Sequence, residues 1–158
     1  MGMTLTYAPA DSGPGLSEAA EILSDLISHD EISAHSDGLD RPICDLSEVF
    51  HEASREDWDG YGAKAVSHSA YLDALAFLNT FPTPGQSPEP EISASPNGEI
   101  LIEWSTGPRH VFTLAFGDAG EKYYAGLFGT NKTTGREDLL ERIVAAAEEG
   151  LARLTSEA

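Results

Sequence analysis

Residues 91–128 read EISASPNGEILIEWSTGPRHVFTLAFGDAGEKYYAGLF, and much of this segment alternates apolar with polar residues. Such alternation is typical of strands that turn one face toward a core. Short turn segments interrupt it at Pro96-Asn97-Gly98, Thr106-Gly107-Pro108 and Gly117-Asp118-Ala119-Gly120. Because short loops join antiparallel neighbours, the segment predicts a three- to four-stranded antiparallel meander.

The chain on both sides of this meander repeats its apolar residues at helical spacing. Residues 16–27 and 46–53 each carry one apolar stripe, and residues 67–81 are apolar over more than half of a helix circumference, with Ser67 as the N-cap. The last stripe, from about Glu137 onward, consists of Leu140, Ile143, Val144, Ala147, Leu151 and Leu154. Helices, then strands, then a helix predict an α+β fold whose C-terminal helix packs on the sheet.

We divide the chain accordingly into a flexible leader and one domain, residues 16–158. The turn signal Asp37-Gly38 predicts irregular structure up to Pro42, and Asp45 with Glu48 has the spacing of a capping box at a helix start. The expected parts are the leader 1–15, an acidic helical part 16–57, a turn and buried helix 58–81, the meander 91–128 and the C-terminal helix 137–155.

The charge of the chain is strongly negative and unevenly distributed. The 158 residues include 27 acidic and 9 basic ones, for a net charge of −18. Residues 1–60 contribute −12 of this, with Arg41 and Arg55 as their only basic residues. Because phosphates repel such a chain, direct binding to nucleic acid or to an anionic membrane is not expected.

The sequence favours a cytoplasmic protein. Cys44 is the only cysteine, so no disulfide forms within the chain, which suits a reducing compartment. The N-terminus lacks the basic and apolar regions of a signal peptide, and no apolar run reaches the length of a membrane span.

Neither a cofactor nor a metal ion is expected. Gly60-x-Gly62-x-x-Ala65 imitates a dinucleotide-binding fingerprint, but that motif requires a preceding strand in a βαβ unit, and here a helix precedes it. The five histidines form neither HExxH nor another close ligand spacing.

The segment Trp58-Asp59-Gly60-Tyr61-Gly62-Ala63 is the most unusual in the chain. Two large aromatic residues in a glycine-rich turn are suited to a recognition loop, because Trp and Tyr dominate binding hot spots. The alternative is structural: Trp58 and Tyr61 fill the gap between helices and sheet, while Asp59 caps a backbone amide.

A possible catalytic pair lies in the second hairpin. A four-residue loop between its strands places Glu103 opposite His110 and Trp104 opposite Arg109. Such cross-strand pairs stabilise a sheet without any function. The enzymatic alternative is therefore a small hydrolase or nucleic-acid-modifying enzyme with Glu103 and His110 at its site.

Several segments resemble a loose set of small bacterial and phage-associated proteins of unknown function. The resemblance covers about residues 55–130 and rests on turn glycines and aromatic residues, so it implies a shared fold more than a shared activity. It is carried by Trp58–Ala63, Val66-Ser67, Pro90-Glu91-Ile92, Ile102-Glu103-Trp104 and Tyr124–Gly129.

The preferred hypothesis is a non-enzymatic acidic protein that masks a basic, nucleic-acid-binding surface of a partner protein. Inhibitors of bacterial defence nuclease complexes (DNA mimics of the anti-CRISPR kind), antitoxins and immunity proteins form this class. A third reading takes the acidity as an adaptation to a salt-rich host, since the chain has only three lysines. The predicted partner-binding residues are Glu18, Glu21, Asp25, Asp30, Glu31, Asp45, Glu48, Glu52, Glu56, Trp58, Asp59 and Tyr61.

Overall fold

A computed structural model describes residues 33–81 and 87–156 of the chain, and for residues 33–40 it describes the backbone only. Apart from residues 33–35, all of these belong to one compact unit, residues 36–158. The predicted leader, the helical stripe of residues 16–27 and part of the connector after Phe81 lie outside the described residues.

The described elements form an α+β fold, as the sequence predicts. The five strands form one sheet in the order in which they follow along the chain, and every neighbouring pair is antiparallel. A short 3-10 turn at Asp118–Gly120 joins the third strand to the fourth. In chain order the elements are α1 (Ser33–Ala53), α2 (His68–Thr80), β1 (Glu91–Ala94), β2 (Ile100–Gly107), β3 (His110–Phe116), β4 (Lys122–Phe128), β5 (Asn131–Glu137) and α3 (Leu140–Ser156).

One face of the sheet forms the core. The register pairs Ile102 with Leu114 and Trp104 with Phe112, so the apolar residues of adjacent strands lie side by side on this face. Alternate residues of a strand point to opposite faces of the sheet. The burial of every second residue in β3, at Phe112, Leu114 and Phe116, confirms the predicted alternation. The side chains at 1% exposure or less on this face are Ile100, Ile102, Trp104, Phe112, Leu114, Phe116 and Phe128.

Helices α2 and α3 supply the other half of the core. Ser67 caps α2, because its Oγ accepts a hydrogen bond from the Ala70 amide at 3.1 Å. Helix α3 buries the predicted stripe, with Ile143, Ala147, Leu151 and Leu154 at no more than 1% exposure. The helix begins at Leu140, three residues later than predicted, because Glu137 belongs to β5.

Strand β5 exceeds the predicted number of strands. Its sequence, Asn131-Lys132-Thr133-Thr134-Gly135-Arg136-Glu137, contains no large apolar residue, so it gives no hydrophobic alternation to detect. It forms by pairing along the whole of β4, from Lys122–Glu137 to Phe128–Asn131. As an edge strand it has only one neighbour, and its charged residues are typical of edges that avoid aggregation.

Helix α1 is longer than predicted, and the proposed capping box is wrong. The helix begins at Ser33 and continues through Pro42, so Asp45 and Glu48 lie inside it rather than at its start. A proline in a helix removes one hydrogen bond, but Pro42 is buried, and its packing offsets part of this cost. Phe50 stacks on Tyr71 of α2 with ring centroids 4.5 Å apart, which attaches α1 to the domain.

Candidate functional site

The segment of residues 57–63, here called the Tyr61 loop, follows α1 and has an unusual backbone. Asp57, Gly60 and Gly62 adopt positive φ angles of 58°, 74° and 88°. Glycine reaches this region without steric cost, whereas an aspartate there is uncommon. The two closely spaced glycines of the sequence therefore make a tight reversal of the chain.

Hydrogen bonds fix this backbone. The Asp59 Oδ1 atom accepts hydrogen bonds from the amides of Tyr61 at 2.8 Å and Ala63 at 3.1 Å. Asp57 Oδ1 accepts from the Gly62 amide at 2.7 Å, and the Asp57 amide donates to the Ala63 carbonyl at 2.8 Å. Both carboxylates thus face inward and hold the loop in one conformation, which confirms the capping role expected for Asp59.

The two aromatic residues of the loop have opposite environments. Trp58 is half-buried against the hydrophobic core, and its Nε1 donates to the Lys64 carbonyl at 3.1 Å. Tyr61 is 94% exposed at the tip of the loop. The gap-filling interpretation therefore describes Trp58 and is wrong for Tyr61.

Four acidic residues lie along α1 and in the turn between α1 and the Tyr61 loop. We call them the acidic ridge: Asp45, Glu48, Glu52 and Glu56. Asp45 is half-buried, and the other three are exposed. Glu56 lies beyond the end of α1 at Ala53, in the turn before the loop. The remaining predicted contact residues, Glu18, Glu21, Asp25, Asp30 and Glu31, lie outside the described residues.

A cleft of about 500 Å³ lies beside the loop and is lined by charged groups. Its carboxylates belong to Glu56, Glu99, Asp118 and Glu121, and Lys64 contributes one ammonium group. The Glu99 carboxylate accepts a hydrogen bond from Ser95 Oγ at 2.8 Å, so this acid is already engaged within the chain. Within the described ranges, no three His, Cys, Asp or Glu residues come together closely enough to hold a metal ion.

Asp118 carries its negative charge even in mild acid. The Ala119 amide donates to its Oδ1 at 2.8 Å and Ser69 Oγ at 3.2 Å. The Ala119 amide first, and then the hydroxyls of Ser69 and Ser67, lower the pKa of Asp118 below its ordinary value of 3.8. Asp118 therefore contributes a negative charge to the cleft throughout the neutral range.

The cleft joins residues that no local motif connects. Glu99 follows the β1–β2 turn, whereas Asp118 and Glu121 belong to the β3–β4 turn. In a meander these two turns lie at the same end of the sheet, because successive connections alternate between its ends. The cleft was not predicted from the sequence. The signal for it was that the β1–β2 and β3–β4 turns of a meander lie at the same end of the sheet.

The proposed pairing of Glu103 with His110 is wrong. Glu103 lies opposite Thr113, whose Oγ1 donates to Glu103 Oε2 at 2.9 Å, and His110 lies opposite Gly107. A register shift between Ser105 and Gly107 and a two-residue turn replace the expected four-residue loop. The enzymatic alternative therefore loses the geometry on which it was based.

The expected contact between Trp104 and Arg109 is also absent. Trp104 is 1% exposed and lies in the core, whereas Arg109 is exposed and donates from Nε to the Gly129 carbonyl at 3.0 Å. Trp104 Nε1 finds no acceptor among the described residues. The tryptophan serves as core and contacts Phe77, Phe81 and Phe112.

Comparisons with protein-family models, with curated proteins and with solved structures found no match. The resemblance to small bacterial and phage-associated proteins stays a prediction. None of the helices in the described ranges is both long and apolar enough to cross a lipid bilayer.

Proposed function

We propose that this chain is a non-enzymatic binding protein that docks on a basic surface of a partner protein. Tyr61 is the anchor of the contact, and the acidic ridge steers the partner toward it. The observation that carries the proposal is the 94% exposure of a tyrosine on a loop whose backbone is fixed by hydrogen bonds.

An exposed tyrosine on a fixed loop is suited to binding for two physical reasons. Burying a large side chain of this kind contributes roughly 1.5–3 kcal/mol, which the isolated chain does not gain. The loop is already ordered by Asp57 and Asp59, so association costs little further conformational entropy. Tyrosine is moreover among the residues that most often dominate binding energy.

The charge around the loop indicates the chemistry of the partner. Glu48, Glu52 and Glu56 are exposed and precede the loop in the chain, and the cleft beside the loop is lined by four acidic residues and one lysine. Such a surface attracts lysine and arginine side chains. Complementary charge of this kind mainly raises the association rate and the specificity, while buried anchors set the final affinity.

A basic partner that handles nucleic acid fits this surface best. Acids every four residues along a helix give one charge per about 6 Å, whereas duplex DNA carries one per about 1.7 Å of axis. The ridge alone is thus too dilute to imitate DNA, and the cleft adds three further acidic residues, Glu99, Asp118 and Glu121. Inhibitors of defence nucleases, antitoxins and immunity proteins are the classes with such a target.

The test begins by capturing partners with the tagged full chain and then measures affinity for the captured protein. We expect Tyr61→Ala to weaken that affinity by about 30-fold, the cost of about 2 kcal/mol for a hot-spot residue. Leu139→Ala is the matched control, because Leu139 is a large apolar residue that is 59% exposed outside the loop. Its affinity should stay within about twofold of wild type. Equal affinities for Tyr61→Ala and wild type would refute the anchor role.

A further inference from the structure

The sheet has a second face, on the side opposite α2 and α3. None of the strand residues on this face is buried, whereas the residues that alternate with them in β2 and β3, on the core face, are almost completely buried from Ile100 to Trp104 and from Phe112 to Phe116. We call it the open face. It consists of Glu91, Ser93, Leu101, Glu103, Ser105, Val111, Thr113, Ala115, Tyr123, Ala125, Leu127, Lys132, Thr134 and Arg136.

The open face carries two apolar patches, one on each side of the row formed by Glu103, Thr113 and Ala125. Leu101, Ala115 and Tyr123 form one patch, and Val111 and Leu127 form the other, all of them half-buried. A shallow groove of about 230 Å³ runs beside the small side chain of Ala125. Apolar side chains grouped in this way mark an interaction site more often than singly scattered ones do.

The two edges of the open face carry opposite charges. Glu91 on β1 lies directly opposite Glu103 on β2, and like charges in directly opposed positions destabilise a sheet. At the far edge, β5 carries Lys132 and Arg136. Within the described ranges, Lys132 makes no ion pair and Glu91 receives no cation. Arg136 already pairs with Glu121 at 3.6 Å and with Asp138 at 3.5 Å. Lys132 and Glu91 thus each lack a counter-charge that the opposite edge of a second sheet could supply.

We infer that the open face is a self-association surface, on which a second copy of this chain packs face to face. A two-fold axis parallel to the strands, lying above β3, reverses the strand order of the second sheet. The acidic edge of each copy then faces the basic edge of the other, and Val111 lies near its own counterpart. An axis perpendicular to the strands would instead stack β5 on β5 and oppose basic residues.

The register supports this arrangement at the level of single residues. Pairing along one row joins Glu91, Glu103, Thr113, Ala125 and Thr134. Under the two-fold axis, Glu91 therefore meets the Thr134 position of the second copy. Lys132 and Arg136 flank that position, two residues away on either side along β5. Lys132, which makes no ion pair among the described residues, is the side chain that reaches across to Glu91.

The size of the face indicates a weak, reversible dimer. Strands about 4.8 Å apart with a rise of about 3.3 Å per residue give this sheet roughly 500 Å² per copy, and hence roughly 1,000 Å² in total. Specific interfaces begin near this value, and those at the lower end are transient. The dimer is therefore expected to dissociate on dilution.

Sedimentation velocity of the full chain over about a hundredfold concentration range tests the inference. We expect the mass to rise from monomer to dimer with concentration. Val111→Glu sets two like charges against each other near the axis and should raise the dimer dissociation constant at least tenfold. Tyr61→Ala lies outside the sheet and should leave dimerisation unchanged, which keeps this test separate from the proposed function.

Two complementary charge variants distinguish the loss of the dimer contact from misfolding of the chain. Glu91→Lys/Glu103→Lys makes both edges basic, and Lys132→Glu/Thr134→Glu makes both edges acidic. We expect each variant to be monomeric alone and a mixture of the two to form a heterodimer, with thermal unfolding as the control for folding. A wild-type chain that stays monomeric, whatever else covers the face, overturns the inference. A mixture that stays monomeric, or a Val111→Glu chain that dimerises like wild type, also overturns it.

Discussion

At the scale of single residues, the Tyr61 loop depends on carboxylates that accept hydrogen bonds from its own backbone. Asp59 accepts two amide hydrogen bonds and Asp57 one, in a segment where two glycines and Asp57 have positive φ. The capping role of Asp59 can be predicted from the sequence. The different roles of Trp58 and Tyr61 cannot, because both are large aromatic residues and only tertiary packing separates them.

Removing the Asp59 carboxylate should loosen the loop. Asp59→Ala leaves the amides of Tyr61 and Ala63 without their acceptor, at a cost of about 1–2 kcal/mol in the free energy of unfolding. Asp59→Asn keeps one acceptor oxygen and should lose less. Urea denaturation measures both variants, and an unchanged free energy for Asp59→Ala would show that the loop does not need this side chain.

The lowered pKa of Asp118 predicts a definite pH dependence. A carboxylate whose pKa is lower in the folded than in the unfolded chain stabilises the fold above the unfolded pKa. This stability is lost as the pH falls through the lower, folded pKa. Wild type should therefore be more stable than Asp118→Asn at neutral pH, and the difference should shrink as the pH falls below the ordinary value of 3.8 and disappear below the lower pKa of the folded chain. Chemical denaturation across pH measures this, and a difference that persists in strong acid would contradict it.

At the scale of elements, the structure shows which patterns a sequence reveals and which it hides. Strands β1, β3 and β4 lie between the predicted turns, because each of these strands turns apolar residues toward the core. Strand β5 and the first turns of α1 have no such signal. Strand β5 forms by pairing with β4. The first turns of α1 form because the helix continues through Pro42. The predicted pairing of residues between β2 and β3 is wrong because the register shift between Ser105 and Gly107 leaves no trace in the hydrophobic pattern of the sequence.

The close approach of α3 to the sheet predicts an unusual substitution effect. A Cβ atom on Gly150 would lie 2.5 Å from the Phe112 ring, so the helix must shift if Gly150 becomes alanine. Gly150→Ala should lower the free energy of unfolding by about 1–2 kcal/mol, although alanine is the better helix former by about 1 kcal/mol.

The Phe112→Leu background provides the control for this prediction. A smaller side chain at position 112 makes room for the new Cβ, so Gly150→Ala should there be neutral or stabilising. The double-mutant cycle isolates the contact. Equal effects of Gly150→Ala in the two backgrounds would show that the helix does not depend on this close approach.

At the scale of the whole molecule, the net charge of −18 is unevenly distributed between the first 40 residues and the rest of the chain. Residues 1–40 hold eight acidic residues and no basic one, and all nine basic residues lie beyond them. Within the described ranges, seven acidic residues form the acidic ridge or line the cleft beside the Tyr61 loop. Composition alone predicted an excess of charge, whereas the convergence of Glu56, Glu99, Asp118 and Glu121 required the fold.

Matched charge reversals test the proposed function most directly. Glu48→Lys/Glu52→Lys/Glu56→Lys reverses the exposed acids of the ridge. Glu141→Lys/Glu148→Lys/Glu149→Lys changes the net charge equally at three exposed positions of α3. We expect the ridge variant to associate with the captured partner at least tenfold more slowly at low salt, and the α3 variant to stay within about threefold of wild type. The difference should shrink at about 1 M salt, where the Debye length falls to about 3 Å. Equal losses in both variants would mean that the acidity acts only as bulk charge, and no loss in the ridge variant would contradict steering by the ridge.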